Sequence, residues 1–175
     1  GIEGPCFTIS QFELSFAGAL STATALLNSG RAERVLLCAV DECDSRFLHC
    51  CPQYLHSELP QTEGAVALCL VNASAGAPAV AAPFVQVRWG QQPEAGSLVF
   101  ASGAATGPGS DSGVGPSSEL GWKNHEHLYG HGPLAQALDV LLALNMAQTA
   151  KTDVINCVCA AAVSGRQAII EVRGV

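Results

Sequence analysis

A long uncharged run places the strongest constraint on this chain: residues 14–29 carry no charged side chain, and they lie between Glu13 and Gly30. These residues are apolar or small nearly all round, so a helix built from them has no polar face and is expected to be buried. A glycine suits the position after a helix C-terminus, where the backbone is commonly left-handed. The sequence therefore predicts a buried helix over 13–29, with a carboxylate at its N-terminal end.

Short β-rich runs surround this helix. The run "PCFTIS" precedes it and predicts a strand, and the continuous apolar runs "RVLLCAVDE" and "GAVALCLV" follow it. Apolar strands without polar alternation are typical of a sheet that is covered on both faces, so we expect both runs to be buried. Residues 43–62, which separate the two runs, are polar and contain Cys and His, and they predict a loop.

The second half of the chain also mixes strands and helices. A low-complexity stretch, residues 73–82, predicts a joint between an N-terminal part, 1–72, and a C-terminal part, 83–175. In the C-terminal part, "FVQVRW" and "SLVFAS" predict strands, and the Gly- and Ser-rich residues 103–118 predict a functional or mobile loop. A helix is expected from Pro133, followed by a hairpin of "VINCVCAAAV" and "QAIIEVR". This order is typical of a layered α/β fold with apolar helices between sheets.

Composition and charge exclude several classes of function. Apolar residues make up 49% of the 175 residues and charged residues only 13%, which indicates extensive burial, including a subunit interface. The net charge is −7 with eight Lys and Arg, so there is no basic stripe for nucleic acid. No apolar run reaches the ~18 residues of a membrane span, and no signal-peptide pattern is present. We therefore expect a soluble, cytoplasmic protein.

Eight cysteines and five histidines raise the question of a metal site. No Cys-x-x-Cys pair is present, which weakens a metal or disulfide interpretation. Two clusters keep metal binding open as an alternative function. They are Cys43, His49, Cys50, Cys51 and His56 in the polar loop, and His125, His127 and His131 in "NHEHLYGH". The simpler interpretations are a loop of reduced thiols and a His-rich entry to the second helix.

Several motifs resemble those of the thiolase-fold β-ketoacyl synthases. In that family a Gly-Pro opens a short strand, the catalytic cysteine begins a buried helix, and a glycine closes the helix. Here Gly4-Pro5 and Gly30 match the two ends, and without a gap the position of the cysteine falls on Glu13. The segments "ERVLLCAVDE" and "EGAVALCLV" resemble the family's next strand and its Glu-Gly-Ala-Gly strand. The resemblance implies a thiolase-like, layered αβαβα architecture.

The second half carries the positions of the family's two catalytic histidines. The segment "FASGAATGPGSD" resembles the family's His-Gly-Thr-x-Thr segment, with Gly103 and Thr106 matched and Ser102 at the first histidine. The segment "LYGHGPLAQALDVLLAL" resembles the Gly-His segment, so His131 matches the second histidine. The family's lysine five residues earlier is here Glu126, and "SGRQAIIEVR" resembles the last hairpin without its Gly-Phe-Gly-Gly turn.

The resemblance implies a subunit that does not catalyse condensation. Condensation needs a cysteine thiolate that accepts the acyl chain and two imidazoles that stabilise an oxyanion; Glu13, Ser102 and His131 do not supply this set. In polyketide systems the chain-length factor is a ketosynthase-like subunit that lacks the cysteine and pairs with an active ketosynthase. For this chain we therefore expect a heterodimer with a Cys-containing ketosynthase, or a homodimer, in fatty acid, polyketide or polyene biosynthesis. Glu13, Phe16 and His131 are the expected pocket residues; the alternative for Glu13 is a cap or an ion pair with no role beyond packing.

The partners and the alternatives follow from the same resemblance. Acyl carrier protein is acidic, as this chain is, so we expect the ketosynthase to receive it and this chain to meet it indirectly. No cofactor is implied. An alternative function is decarboxylation of a malonyl thioester, or acyl transfer, with Glu13 as general base and His131 as oxyanion donor. The family's long segment before the nucleophile strand has no counterpart here, so we expect either a piece of a longer product or a second polypeptide that supplies that half.

Overall fold

The secondary structure comes from a computed structural model, which describes residues 4–42, 44, 46, 49, 61–72, 83–93, 97–101, 121–123, 125–130, 132–149, 154–160 and 166–174. The helices are a short 3₁₀ turn (Phe12–Leu14), α1 (Ser15–Asn28), α2 (Glu126–Tyr129) and α3 (Ala135–Thr149). The strands are β1 (Arg34–Asp41), β2 (Gly64–Val71), β3 (Phe84–Trp89), β4 (Leu98–Ala101), β5 (Gly121–Lys123), β6 (Val154–Ala160) and β7 (Gln167–Arg173). None of the described helices is long and apolar enough to cross a lipid bilayer.

The helix predicted over 13–29 is confirmed as the 3₁₀ turn and α1. Gly30 has a φ of 69°, and its amide donates to the carbonyl of Leu27 over 3.1 Å. The amide of Arg31 donates to the carbonyl of Leu26 over 3.0 Å. These two bonds form a Schellman cap, which places a left-handed residue just beyond the helix. The predicted glycine stop is therefore confirmed.

Helices α1 and α3 lie between two sheets. Strands β1 and β2 form a two-stranded antiparallel sheet, and the other described strands form a five-stranded sheet in the order β3-β7-β6-β4-β5. Helix α1 contacts β1 on one side and β3 and β7 on the other, while α3 contacts β2 on one side and β4, β6 and β7 on the other. The predicted layering, with apolar helices between sheets, is confirmed.

The five-stranded sheet is mixed. Strand β4 runs parallel to β5 and β6, and β7 is antiparallel to both β6 and β3. The predicted closing hairpin is present, with Val154 opposite Arg173 and Ala160 opposite Gln167. The strands predicted in "FVQVRW" and "SLVFAS" are β3 and β4.

A single large cluster of buried side chains fills the space between the layers. From the N-terminal part it takes residues of α1 and of the two-stranded sheet, and from the C-terminal part it takes residues of α3 and of the five-stranded sheet. Its larger members are Leu14, Phe16, Leu20, Leu37, Val66, Phe100, Leu134, Val140, Ile155, Ile170 and Val172. The two parts of the chain on either side of residues 73–82 therefore share one core.

The prediction that β1 and β2 are covered on both faces is wrong for the chain as described. Alternate residues point inward, with Leu37 and Val66 buried, but the opposite face is open. On that face Leu36, Val40 and Val71 are 53%, 75% and 47% exposed. The apolar runs that predicted a doubly covered sheet therefore produce one packed face and one apolar exposed face.

The strand predicted in "PCFTIS" is also absent, because residues 5–11 have no regular secondary structure and no described strand borders them. An extended segment needs a hydrogen-bonded neighbour to become a strand.

Strand β5 and helix α2 were not predicted, because they are too short for a periodic pattern to identify. Most of the polar loop of 43–62, the joint of 73–82 and the Gly- and Ser-rich residues 103–118 lie outside the described residues.

Candidate functional site

Glu13 lies at the N-terminal end of α1, as the sequence predicted. It belongs to the 3₁₀ turn, its side chain is only 6% exposed, and this turn lies against β6. The turn is closed by the amide of Leu14, which donates to the carbonyl of Gln11 over 3.1 Å. The amide of Gln11 in turn donates to the hydroxyl of Ser15 over 2.7 Å. These bonds close the turn that carries the buried Glu13 and that lies against the core.

A glycine in α1 fixes the approach of the chain to this turn. A methyl group added at Gly18 would lie 3.1 Å from Oε1 of Gln11 and 3.4 Å from a methyl carbon of Ile9. The segment before the turn therefore packs directly on the helix backbone. Phe16, the other predicted pocket residue from this region, is buried and belongs to the main core cluster.

The region of the second predicted histidine follows α2. Glu126 begins α2 and is buried, and Gly130 ends it with a φ of 89°. His131 itself lies outside the described residues, as does Ser102. Of the three predicted triad positions, the structure thus describes Glu13 alone.

The chain beyond His131 contacts the N-terminal part. Gly132 has a φ of 155°, and a methyl group added there would lie 3.5–3.7 Å from atoms of Thr62, which precedes β2. The carboxylate of Asp41, at the end of β1, accepts a hydrogen bond from the backbone amide of Leu134. Burial, with a smaller contribution from nearby Glu63, nevertheless raises the pKa of Asp41 above its usual value. The ends of β1 and β2 are therefore joined to the segment that leads into α3.

A second group of polar residues, which the sequence did not predict as a site, surrounds Asp139 of α3. Asp139 is 1% exposed, and its Oδ1 accepts a hydrogen bond from the hydroxyl of Tyr129 and lies 3.6 Å from Nδ1 of His125. The ring of His125 packs edge-on against Phe100, with the ring centroids 4.4 Å apart. In the sequence, this group is indicated only by Asp139, which is a lone acidic residue in an apolar helix.

Burial controls the protonation of this group. It raises the pKa of the Tyr129 hydroxyl, with a further contribution from Asp139. It lowers the pKa of His125, and nearby His127 and Lys123 add to this effect. Tyr129 and His125 are therefore held neutral near pH 7, and Tyr129 acts as a hydrogen-bond donor rather than as a base.

None of Cys6, Cys157 and Cys159 lies at the start of α1, where the resemblance places the catalytic cysteine of the family. Cys157 and Cys159 are buried in β6, where burial and then the charge of Asp139 raise their pKa values. Both are therefore protonated and unreactive at neutral pH. Cys6 is exposed and precedes the helix by a full segment of chain, so it does not lie at the helix N-terminus.

The described residues contain no group of three or more His, Cys, Asp or Glu that could hold a metal ion. His125 and His127 lie at the start of α2, with ring centroids 6.4 Å apart. His125 is partly buried near Asp139, while His127 is exposed. In the other predicted cluster His49 is exposed, and Cys43, Cys50, Cys51 and His56 lie outside the described residues.

Comparison with known proteins identifies the fold. No protein-family model and no curated protein matches the sequence. The chain is similar to a chain of the AntDE:AntF complex, in which a type II polyketide synthase acyl carrier protein is bound to its ketosynthase with the hexaketide. That similarity has a TM-score of 0.71 at 14% identity and covers 97% of this chain and 58% of the other.

A second similar structure is a β-ketoacyl synthase from Burkholderia phymatum STM815, with a TM-score of 0.66 at 13% identity, covering 95% of this chain and 60% of the other. The thiolase-like layered fold implied by the sequence motifs is therefore confirmed. This chain spans about three-fifths of the length of those two structures.

Proposed function

We propose that this chain is a non-condensing, ketosynthase-like subunit that pairs with a Cys-containing ketosynthase and helps to shape its product pocket, as a chain-length factor does. The observation that carries the proposal is the buried Glu13 at the start of α1. The motif resemblance to ketosynthases aligns this position with their catalytic cysteine, and here the side chain is a carboxylate.

The chemistry of a carboxylate supports a role without bond formation. Acyl transfer to Glu13 would give a mixed anhydride, which water hydrolyses, whereas the condensation requires a stable acyl thioester. The N-terminal end of a helix favours an anion through the macrodipole. Glu13 at this end of α1 is therefore suited to shaping the pocket rather than to carrying an acyl group.

The surface next to Glu13 supports a protein partner. Gly4–Gln11 is exposed except at Ile9, and Phe7 in this segment is 60% exposed. Helix α1 buries one side against the core, while Thr22, Thr24 and other residues on its remaining surface are only half-buried, and Ala25 is exposed. An uncharged helix surface and an exposed aromatic residue beside it are typical of a surface that a partner covers.

The net charge bears on the carrier protein. At −7, with only eight Lys and Arg, this chain has little positive charge to offer an acidic carrier protein. Like charges disfavour association and slow it. The proposal therefore assigns carrier docking to the ketosynthase, and this chain contributes to the pocket.

The test is reconstitution with a Cys-containing ketosynthase encoded beside this chain and its carrier protein. We expect the two chains to co-purify, and we expect this chain alone to release no carbon dioxide from malonyl carrier protein. In the pair, Glu13→Ala and Phe16→Leu should change the length of the product, measured by mass spectrometry, more than the rate. Glu33→Ala, an exposed glutamate beyond α1, is the matched control.

Two results would contradict the proposal in different ways. An unchanged product profile with Glu13→Ala would remove Glu13 from the pocket. Release of carbon dioxide by the chain alone, lost with Glu13→Ala, would instead support the decarboxylase that uses Glu13 and His131.

A further inference from the structure

We propose that Asp41, at the end of β1, is a positioning residue: its carboxylate holds the start of α3 in place and, through the chain, the predicted pocket residue His131. The inference deepens the proposed function and rests on it only for its effect on product length. Its other measurements use the isolated chain and require no partner.

The start of α3 has no cap of its own. Gly132, Pro133 and Leu134 precede the helix, and none of them carries a side chain that accepts a hydrogen bond. Pro133 has no amide hydrogen, and the amide of Ala135 donates to the carbonyl of Gly132 over 3.0 Å. The amide of Leu134 donates instead to the carboxylate of Asp41. A side chain from the N-terminal part thus takes the role that a local Ser, Thr, Asp or Asn usually takes at a helix N-terminus.

Packing brings Asp41 and Leu134 together at this junction. Asp41 pairs with Gly64 in the two-stranded sheet, and a methyl group added at Gly64 would lie 3.7 Å from Cδ2 of Leu134. Thr62, which lies against Gly132, is buried, but its hydroxyl has no hydrogen-bond partner among the described residues. Asp41 therefore supplies a polar contact here, and Thr62 contributes through its shape.

The segment held by this contact includes His131. Both neighbours of His131 in the sequence are buried glycines. Before it, α2 is joined to α3 by the hydrogen bond from Tyr129 to Asp139. After it, the contact of Asp41 holds the start of α3. His131 itself lies outside the described residues, but a shift on either side of it is transmitted through its two peptide bonds.

The contact depends on an acceptor oxygen more than on a charge. Burial, with a smaller contribution from Glu63, raises the pKa of Asp41, so the junction does not favour the charged form. An amide oxygen accepts from the Leu134 amide as a carboxylate oxygen does. Asp41→Asn therefore keeps the contact and Asp41→Ala removes it, although both variants lack the charge. A difference between these two variants isolates position from charge.

Nuclear magnetic resonance of the isolated, isotope-labelled chain tests the contact. We expect the Leu134 amide to exchange roughly tenfold faster in Asp41→Ala than in the parent, because its acceptor is lost. Asp41→Asn should keep the exchange rate of the parent. The imidazole resonance of His131, assigned with His131→Gln, should titrate at a different pH in Asp41→Ala than in Asp41→Asn.

Two controls separate positioning from a general loss of stability. Thr62→Val removes a hydroxyl at the same junction and should leave both the amide exchange and the titration of His131 unchanged. Gly30→Ala weakens a helix cap away from the junction and should not change the titration of His131. If Asp41→Ala does not fold, Asp41→Ser takes its place, since its oxygen is one bond too short to reach the Leu134 amide.

In the reconstituted pair, Asp41→Ala should change product length and Asp41→Asn should not. Identical exchange and titration in these two variants would overturn the inference, as would an equal change in Gly30→Ala. Unchanged product length in a pair that contains Asp41→Ala would also overturn it. If no pair forms, the proposed function fails, and the resonance measurements still decide whether Asp41 positions this segment.

Discussion

At the scale of single residues, Asp139 shows how an apolar helix accommodates a carboxylate. It is the only charged residue of α3, and its Oδ1 receives the hydroxyl of Tyr129 and faces His125. A buried carboxylate without partners would cost several kcal/mol. The contact between α2 and α3 therefore depends on this group.

A double-mutant cycle measures that dependence. We expect Tyr129→Phe to lower the free energy of unfolding by about 1–2 kcal/mol, since a buried acceptor loses its donor. Asp139→Ala should cost about 3 kcal/mol, because it leaves the other polar groups without their acceptor. In the double variant the two losses should overlap by about 1 kcal/mol or more.

Urea unfolding followed by circular dichroism gives these values. Leu141→Ala on the exposed side of α3 is the control, expected within about 0.5 kcal/mol of the parent. Strictly additive losses for Tyr129 and Asp139 would contradict the proposed coupling.

Residue positions were only partly predictable from the sequence. The position of Glu13 at the start of the helix was predicted correctly, because the residues that indicate where the helix begins are its neighbours in the sequence. Asp139 was visible as a lone acid, but its partner Tyr129 is ten residues away in a different helix. Which donor reaches a buried acid depends on packing between elements, and no spacing rule gives it.

At the scale of elements, the end of α1 depends on a single backbone conformation. Gly30 has a φ of 69° and closes the Schellman cap, and no atom lies within 4 Å of a methyl group added there. A substitution therefore changes the backbone energy without a steric clash.

We expect Gly30→Ala to lower the free energy of unfolding by about 1 kcal/mol, because a left-handed conformation is costly for alanine. Gly30→Asn should cost less, since asparagine tolerates that conformation better. Thermal and urea unfolding of the two variants provide the measurement. Equal stability of the alanine variant and the parent would show that the cap contributes nothing.

Elements with a strong local pattern were predictable, and those that depend on neighbours were not. The helices α1 and α3 and the β6–β7 hairpin follow from apolar runs with clear stops. The run "PCFTIS" has strand-forming residues but no described partner, so it stays irregular. The apolar runs of β1 and β2 did not predict that one face of their sheet is exposed among the described residues. An apolar run does not show which part of a protein covers each face.

At the scale of the whole molecule, the shared core joins the two parts of the chain. Leu37 and Val66 of the two-stranded sheet belong to the same buried cluster as Phe100 and Ile170 of the five-stranded sheet. The contact between Gly132 and Thr62 adds a second connection. The side chains on the two sides of the predicted joint at 73–82 therefore pack against each other in one core.

We expect the chain to unfold as one cooperative unit. Hydrogen exchange followed by mass spectrometry, in rising urea, should show protection lost together in peptides from 13–42 and from 133–173. A variant that weakens the core on one side, such as Leu37→Ala, should lower protection on both sides. Separate transitions would instead support independent domains on either side of 73–82.

The open side of the β1–β2 sheet has a practical consequence for anyone who handles this protein. It combines exposed apolar side chains with two exposed thiols, Cys38 and Cys69. A purified protein with such a surface aggregates and adsorbs to vessel walls, and its exposed thiols oxidise in air. Co-expression with a binding partner, with a reductant present throughout, should give a much higher yield of non-aggregated protein than expression of this chain alone.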